Sequence, residues 1–229
     1  MTDAQYDADM KVRDVESQYE SWLRGRSPVA LYVRWYLRHR KPREAECLWR
    51  QIGPGAFPRV LDVGCAGGLY LQDAYERGHG TSMLAGVDLS ETLLAEARSR
   101  LEAVGAHTRV VLERASATAL PFAPACFDVV LSNGMVKYLD DAELHRFLVQ
   151  TQRVLVPSGR VCIAEFATPV GWGSRVNLDR IGIPTANLRT GADLAAALTH
   201  AGFENAHAFE VDRIRRIPLT YEGACATRP

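Results

Sequence analysis

An α/β fold, with an open and mostly parallel sheet covered by helices on both faces, is predicted by three observations. Val60, Leu61 and Val63 form a short apolar run that stops abruptly in Gly64-Cys65-Ala66-Gly67-Gly68, after which Leu69, Leu71, Ala74 and Tyr75 fall at helical spacing. The same alternation returns as a strand at Met83 to Asp88 and a helix at Glu91 to Val104, with Ser90 as its N-cap. It returns again as Phe127 to Asn133, a helix capped by Asp140 and running through Val154, and a strand from Arg160 to Phe166. Helices between apolar strands carry the chain back to the same end of the sheet, so the strands run parallel.

The first of these units carries the chemistry. A strand that ends in a glycine-rich turn and opens a helix lets a ligand approach bare backbone N–H groups beside a helix N-terminus. The dinucleotide pattern G-x-G-x-x-G fails here, because counting from Gly64 puts Ala66 and Leu69 where the second and third glycines belong. Asp62, two residues before Gly64, would repel a pyrophosphate and attract a cation. Asp88, in Gly86-Val87-Asp88-Leu89-Ser90, stands at the tip of the second strand, where a fold of this type holds ribose hydroxyls. Together the two acids point to a nucleoside that carries positive charge.

At these residues, VLDVGCAGG and GVDLS, the chain resembles the class I S-adenosylmethionine-dependent methyltransferases, whose first motif looks like VLDVGCGxG and whose second ends in an acid. The resemblance implies a Rossmann-like, seven-stranded, mostly parallel sheet with one antiparallel strand, and S-adenosyl-L-methionine as cofactor. It further implies that Gly64, Cys65, Ala66 and Gly68 cradle the amino-acid part, that Asp62 lies near the methionine ammonium, and that Asp88, followed by Leu89, grips the ribose. Ala115 to Phe122, with its Leu120-Pro121-Phe122, is similar to the family's third motif, which lines the adenine pocket. Ser116 then stands where relatives carry an acid, and Ala117 offers its backbone N–H. Val154 to Val161 resembles the family's RVLKPGG turn. Asn133, at the end of the fourth strand, joins the cofactor-binding set, but Gly134-Met135-Val136 follows in place of the Asn-Pro-Pro-aromatic motif of base and amide N-methyltransferases.

The remaining elements follow in order. Residues 1–57 read as a helical cap or extension: Ala4 to Arg24, then a helix opened by Ser27 and Pro28, then one from Pro42 through Trp49. Basic residues outnumber acidic ones between Ser21 and Arg50, and Arg34, Arg38 and Lys41 share one helical face. A solvated face is the plain reading, and Arg34 and Tyr36 are the candidates for meeting an acceptor. Arg109 to Glu113 reads as the third strand. Lys137 and Tyr138 occupy the place where relatives often show His-His or Glu-His, and either can point at the acceptor or simply open the next helix. Glu165, at the tip of the fifth strand, is a candidate base. Thr168 to Arg189 has no sustained period and reads as a lid or binding loop, with Trp172 a candidate acceptor wall. A helix from Gly191 to Ala201 leads to two strand-like runs, Phe203 to Val211 and Ile214 to Tyr221, too close for a crossover and therefore an antiparallel hairpin. Residues after Glu222 are expected to be loose. The core thus spans 58–229 and the chain, 1–229, reads as one domain.

Composition bounds the partners. Lys plus Arg equals Asp plus Glu at 27 each, with no basic tail, so nucleic acid is not indicated and a small-molecule acceptor is. Five cysteines without C-x-x-C spacing suggest neither a disulfide framework nor a metal site. No apolar run reaches the roughly 18 residues of a membrane span, and Asp3, Asp7, Asp9 and Asp14 do not fit a secretory leader, so a cytoplasmic protein is expected. A homodimer is allowed, but the sequence does not fix the oligomeric state. Methyl transfer is an in-line displacement at an activated carbon, so holding the nucleophile near the methyl matters more than side-chain chemistry, and O-, N- and C-methylation all stay open. Cys65 reads as a small loop residue without a partner to activate it, and His145 and His79 read as surface and turn residues. Two rival readings remain: a catalytically silent protein that keeps the cofactor fold, and a nicotinamide oxidoreductase, which Asp62 and Leu69 disfavour.

Overall fold

The computed structural model describes residues 41–53, 55, 57–78, 83–167, 185–214 and 219–229, the last turn-flanking positions 212–214 and 219 by backbone alone, together with 17, 25–27, 30, 31 and 35. Ser27 caps a helical start, its hydroxyl accepting from Ala30 N at 3.1 Å. Helix α1 covers Lys41–Ile52, and strand β1, Arg59–Val63, follows. Four of the five β1 residues are buried, because a central strand has packed helices on both faces. Helix α2 (Leu69–Glu76), β2 (Met83–Asp88), α3 (Glu91–Ala103) and β3 (Val110–Arg114) continue the alternation. Next come β4 (Phe127–Asn133), α4 (Asp141–Val154), β5 (Leu155–Phe166), α5 (Gly191–His200), β6 (Glu204–Ile214) and β7 (Leu219–Thr227).

The seven strands lie in the order β3-β2-β1-β4-β5-β7-β6. β1 pairs in parallel with β2 on one side and β4 on the other, Val60 standing beside both Leu84 and Val129. The direction of strand order changes between β1 and β4, which opens the crevice where ligands bind in such sheets. β7 is the reversed strand and runs antiparallel to both β5 and β6.

Alternate residues of each strand feed two cores. On one face Leu48 and Ile52 of α1, Leu71 of α2, and Leu94 and Leu101 of α3 pack with Val60, Leu84 and Val129. On the other, Leu144 and Leu148 of α4 and Leu194 and Leu198 of α5 pack with Leu61, Ala85, Val130 and Ile163. Caps fix where these helices begin. Ser90 Oγ accepts from Leu93 N at 3.1 Å, and capping boxes pair Asp140 with Glu143 and Thr190 with Asp193.

Several expectations need correction. β7 lies at Leu219–Thr227, not at Ile214 to Tyr221, so the residues after Glu222 are a paired strand and not a loose end. Gly223 to Thr227 carries almost no large apolar side chain, which hid it, but its backbone is hydrogen-bonded on both sides and Arg228 N donates to Gly159 O at 2.8 Å. That register also sets Cys162 opposite Cys225, with Cα atoms 4.3 Å apart and the sulfurs joined in a disulfide, although the two are 63 residues apart in sequence. β3 starts one residue later than expected, and β5 begins at Leu155 because Leu155 already pairs with Phe127.

Candidate functional site

The glycine turn sits at the crevice between β1 and β4. Gly64 has φ 77°, and a Cβ built on it would lie 2.6 Å from Met135 Cγ in the loop after β4, so this position admits only glycine without rearrangement. Gly64 N and Cys65 N both donate to Val87 O, at 2.8 and 3.0 Å, tying the turn to β2. Asp88 completes the tie: Oδ2 accepts from Ala66 N at 2.9 Å and Oδ1 from Ser90 N at 3.0 Å. Gly68 caps α2 in the left-handed conformation. Leu89 is partly exposed at the same tip, its carbonyl accepting from Arg114 Nε at 3.0 Å.

Asp62 is 1% exposed, and its Oδ2 has no hydrogen-bond partner. Burial pushes its carboxyl up to about 7, Lys41 pulls the other way, and Asp88 reinforces the rise. The standing negative charge read from the sequence is therefore conditional on a nearby cation. Cys65 is also buried, and burial beside Asp62 and Asp88 pushes its thiol far up, which leaves it unreactive.

On the β3 side Ser116 is engaged within its own turn. Its Oγ lies 2.9 Å from Thr118 Oγ1 and accepts from Thr118 N at 3.2 Å, with Ala117 between them. On the β4 side Asn133 is held from three elements. Its Oδ1 accepts from Lys41 Nζ at 2.9 Å and from the Tyr221 hydroxyl, while its Nδ2 donates to the Tyr70 hydroxyl. Tyr70 OH donates to Glu44 Oε2 at 3.2 Å, and Lys41 Nζ stands 3.5 Å from the same oxygen. Glu44, Tyr70 and Tyr221 escaped sequence reasoning. Tyr70 follows the glycine turn directly and could have been suspected on that ground, whereas nothing local marks Tyr221.

Lys137 is not solvated. It is 5% exposed, its Nζ lies 3.3 Å from Glu165 Oε1, its backbone N donates to Glu165 Oε2 at 3.1 Å, and it also donates to the Gly134 carbonyl. Glu165 has no exposed surface, so the pair ties the loop after β4 to the end of β5. The Lys137 ammonium lies 4.7 Å from the centre of the Tyr138 ring. Burial, reinforced by Glu165 and Asp88, raises the Tyr138 phenol above its ordinary range, which keeps it a hydrogen-bond donor. Arg189, also missed, donates to Val136 O at 3.2 Å, Leu139 O at 3.0 Å and Asp141 Oδ1 at 2.8 Å, pinning the same loop to the start of α5. Arg34, Tyr36, Trp172 and His79 lie outside the described residues. Among the described residues, no cluster of three His, Cys, Asp or Glu could hold a metal, and no helix is long and apolar enough to cross a membrane.

Comparison with known proteins finds similarity over the stretch from β1 into β5. Residues 60–159, from β1 through the turn before the main part of β5, match the family model described as a methyltransferase domain. Over that stretch the chain is similar to methyltransferase domains. The chain is 29% identical over 166 residues to the 27-O-demethylrifamycin SV methyltransferase of Amycolatopsis mediterranei, covering 70% of this chain and 59% of that protein. It is 34% identical over 131 residues to a ubiquinone/menaquinone biosynthesis C-methyltransferase of Roseobacter denitrificans, covering 56% of this chain and 50% of the relative. The chain thus spans between half and three fifths of the length of these two relatives. Its fold is similar to that of the geranyl diphosphate C-methyltransferase of Streptomyces coelicolor, solved with geranyl diphosphate and S-adenosyl-L-homocysteine, with a TM-score of 0.69 at 18% identity over 89% of this chain and 86% of that one.

The residues around the glycine turn fit S-adenosyl-L-methionine as cofactor. An ammonium would satisfy the orphaned Asp62 oxygen, and Gly64 leaves the turn bare for close approach. Asp88 accepts from Ala66 N and Ser90 N at the tip of β2, and a carboxylate there has the chemistry to accept from a ribose hydroxyl.

Proposed function

We propose that this protein transfers the methyl group of S-adenosyl-L-methionine to a small-molecule acceptor. The observation that carries the reading is Asp62 Oδ2, a buried carboxylate oxygen without a partner two residues before the glycine turn. Leaving such an oxygen unsatisfied costs stability, which a cationic amine placed against it offsets. In this reading Asp62 takes the methionine ammonium, and Gly64, Cys65, Ala66 and Gly68 line the amino-acid part. Asp88 takes the ribose, Leu89 lies against the adenine, Ser116 and Ala117 meet its edge, and Asn133 bounds the site at β4.

The cofactor supplies a methyl group activated on a sulfonium, and the chain's own residues position the acceptor. Lys137 and Glu165, joined to each other, hold the loop after β4 in place, and Tyr138 offers a hydrogen-bond donor to the acceptor's polar group. Arg34, Tyr36 and Trp172 complete the acceptor side in this proposal. A phenol donor favours an acceptor whose nucleophile is acidic enough to ionise unaided or is already neutral and nucleophilic. The two relatives, one named for an O-methylation and one for a C-methylation, leave both open for this chain. A single domain and a cytoplasmic location belong to the same reading, although the Cys162–Cys225 bond is of a kind commoner in oxidising compartments.

The test is calorimetric titration with S-adenosylhomocysteine alongside NAD, followed by methyl turnover against a panel of phenolic, amine and activated-carbon acceptors. Binding of the first ligand alone, with product on at least one acceptor, supports the proposal. Binding of NAD in its place removes it.

A further inference from the structure

A ligand that ends in an α-amino acid carries a positive and a negative charge on neighbouring atoms, and a site that meets one must also deal with the other. Asp62 is the anionic partner for the positive end. On the other side of the crevice stands Lys41 Nζ, the first residue of α1, held 2.9 Å from Asn133 Oδ1 and 3.3 Å from the Tyr70 hydroxyl. Its charge reaches Asp62 and opposes the effect of burial there, yet no hydrogen bond fills Asp62 Oδ2. A cation and a carboxyl that influence each other, with no hydrogen bond on that oxygen, match in sign the two ends of a zwitterion. The ammonium is also aimed. Glu44, 1% exposed, stands 3.5 Å from it and is fixed in turn by the Tyr70 hydroxyl.

Resting on the cofactor reading above, we propose that Lys41 binds the carboxylate of the cofactor's amino-acid end, and that this contact docks helix α1 onto the methyltransferase domain. Lys41 and the rest of α1 lie before residue 60, outside the stretch that matches the family. Leu48, Trp49 and Ile52 of α1 pack on the sheet, but the helix's first turn meets the site mainly through Lys41 and Glu44. A carboxylate accepting from Lys41 adds a charge-assisted bond at that turn and slows its local opening. The extension thereby senses the amino-acid end and not the nucleoside.

The proposal is tested with two ligands that share the nucleoside and the sulfur: S-adenosylhomocysteine, and 5′-methylthioadenosine, which lacks the amino-acid end. Calorimetry on the wild type, Lys41→Met and Lys41→Arg is combined with amide hydrogen exchange over residues 41–52. The Met substitution weakens S-adenosylhomocysteine about tenfold or more and leaves 5′-methylthioadenosine unchanged, while Arg restores most of the loss. In the wild type only S-adenosylhomocysteine slows exchange in the first turn of α1, a readout that needs no folded variant. Equal slowing by both ligands, or unchanged or tighter S-adenosylhomocysteine binding by Lys41→Met, overturns the role of Lys41 and leaves the cofactor reading standing. Failure of S-adenosylhomocysteine to bind the wild type overturns both.

Discussion

The carboxylate of Asp88 accepts the amide hydrogen of Ala66 at 2.9 Å, so the tip of β2 holds the glycine turn of β1 in shape. In the proposed reading one side chain serves both the loop and the ligand. We expect Asp88→Ala to weaken S-adenosylhomocysteine binding by roughly 1.5–3 kcal/mol, or about ten- to a hundredfold, since it deletes hydrogen bonds to a charged acceptor. Asp88→Asn, which keeps an oxygen for Ala66 N, should lose less. Calorimetry checks both, and an unchanged affinity in Asp88→Ala would remove the ribose from the β2 tip.

Asp62 makes binding and stability respond to pH in opposite directions. Its folded-state carboxyl lies at about 7, against an unfolded value of about 3.9. Below about pH 4 both states hold the proton. Between about 4 and 7 the unfolded chain loses it while the folded chain keeps it, so the stability of the ligand-free protein falls as pH rises, by on the order of 4 kcal/mol in full. An ammonium prefers the ionised carboxylate, so S-adenosylhomocysteine affinity rises with pH through about 7 and binding at or below that pH releases a proton. Titrations in buffers of different ionisation enthalpy measure the release. Asp62→Asn abolishes it and flattens the melting temperature across this window.

Lys137 and Glu165 are a test of what a buried pair does beside the candidate site. Lys137→Met leaves Glu165 without its counter-charge at a position with no solvent exposure, and should cost about 3–5 kcal/mol of stability by urea unfolding. The double variant Lys137→Met with Glu165→Gln should be more stable than the single one, because no uncompensated charge remains. A single substitution that costs nothing would return Lys137 to solvent and make it available to the acceptor.

The Cys162–Cys225 bond predicts a thiol count. Under denaturing conditions, unreduced protein should show three reactive thiols, from Cys47, Cys65 and Cys126, and all five cysteines should react after reduction. With the joined cysteines 63 residues apart, reduction should lower stability by about 4 kcal/mol on the chain-entropy estimate. Five thiols without reductant would show that the strands alone hold the register.

The local half of this molecule was legible from the chain. The turn Gly64 to Gly68, Asp62 and Asp88 stand within one strand-turn-helix-strand unit, and their separation in space follows from adjacent parallel strands whose ends must align. The caps at Ser90 and Asp140 were readable for the same reason, since a helix start is decided by the residues in its first turn. β7 was misplaced because its small side chains carry no period, and a strand filling the gap between β5 and β6 is selected by the backbone hydrogen bonds open on either side of it.

The alternating α/β order, the bare glycine turn and the two acids flanking it are legible locally, because each depends on residues close along the chain. The burial of Asp62 with an orphaned oxygen, the pairing of Lys137 with Glu165, and the convergence of Lys41, Tyr70 and Tyr221 on Asn133 arise from packing. Solvation and charge pairing are set by whatever packs nearby from distant parts of the chain. Dozens of residues separate Lys41 from Asn133 and Asn133 from Tyr221, and it is the closing of one sheet that brings them into contact.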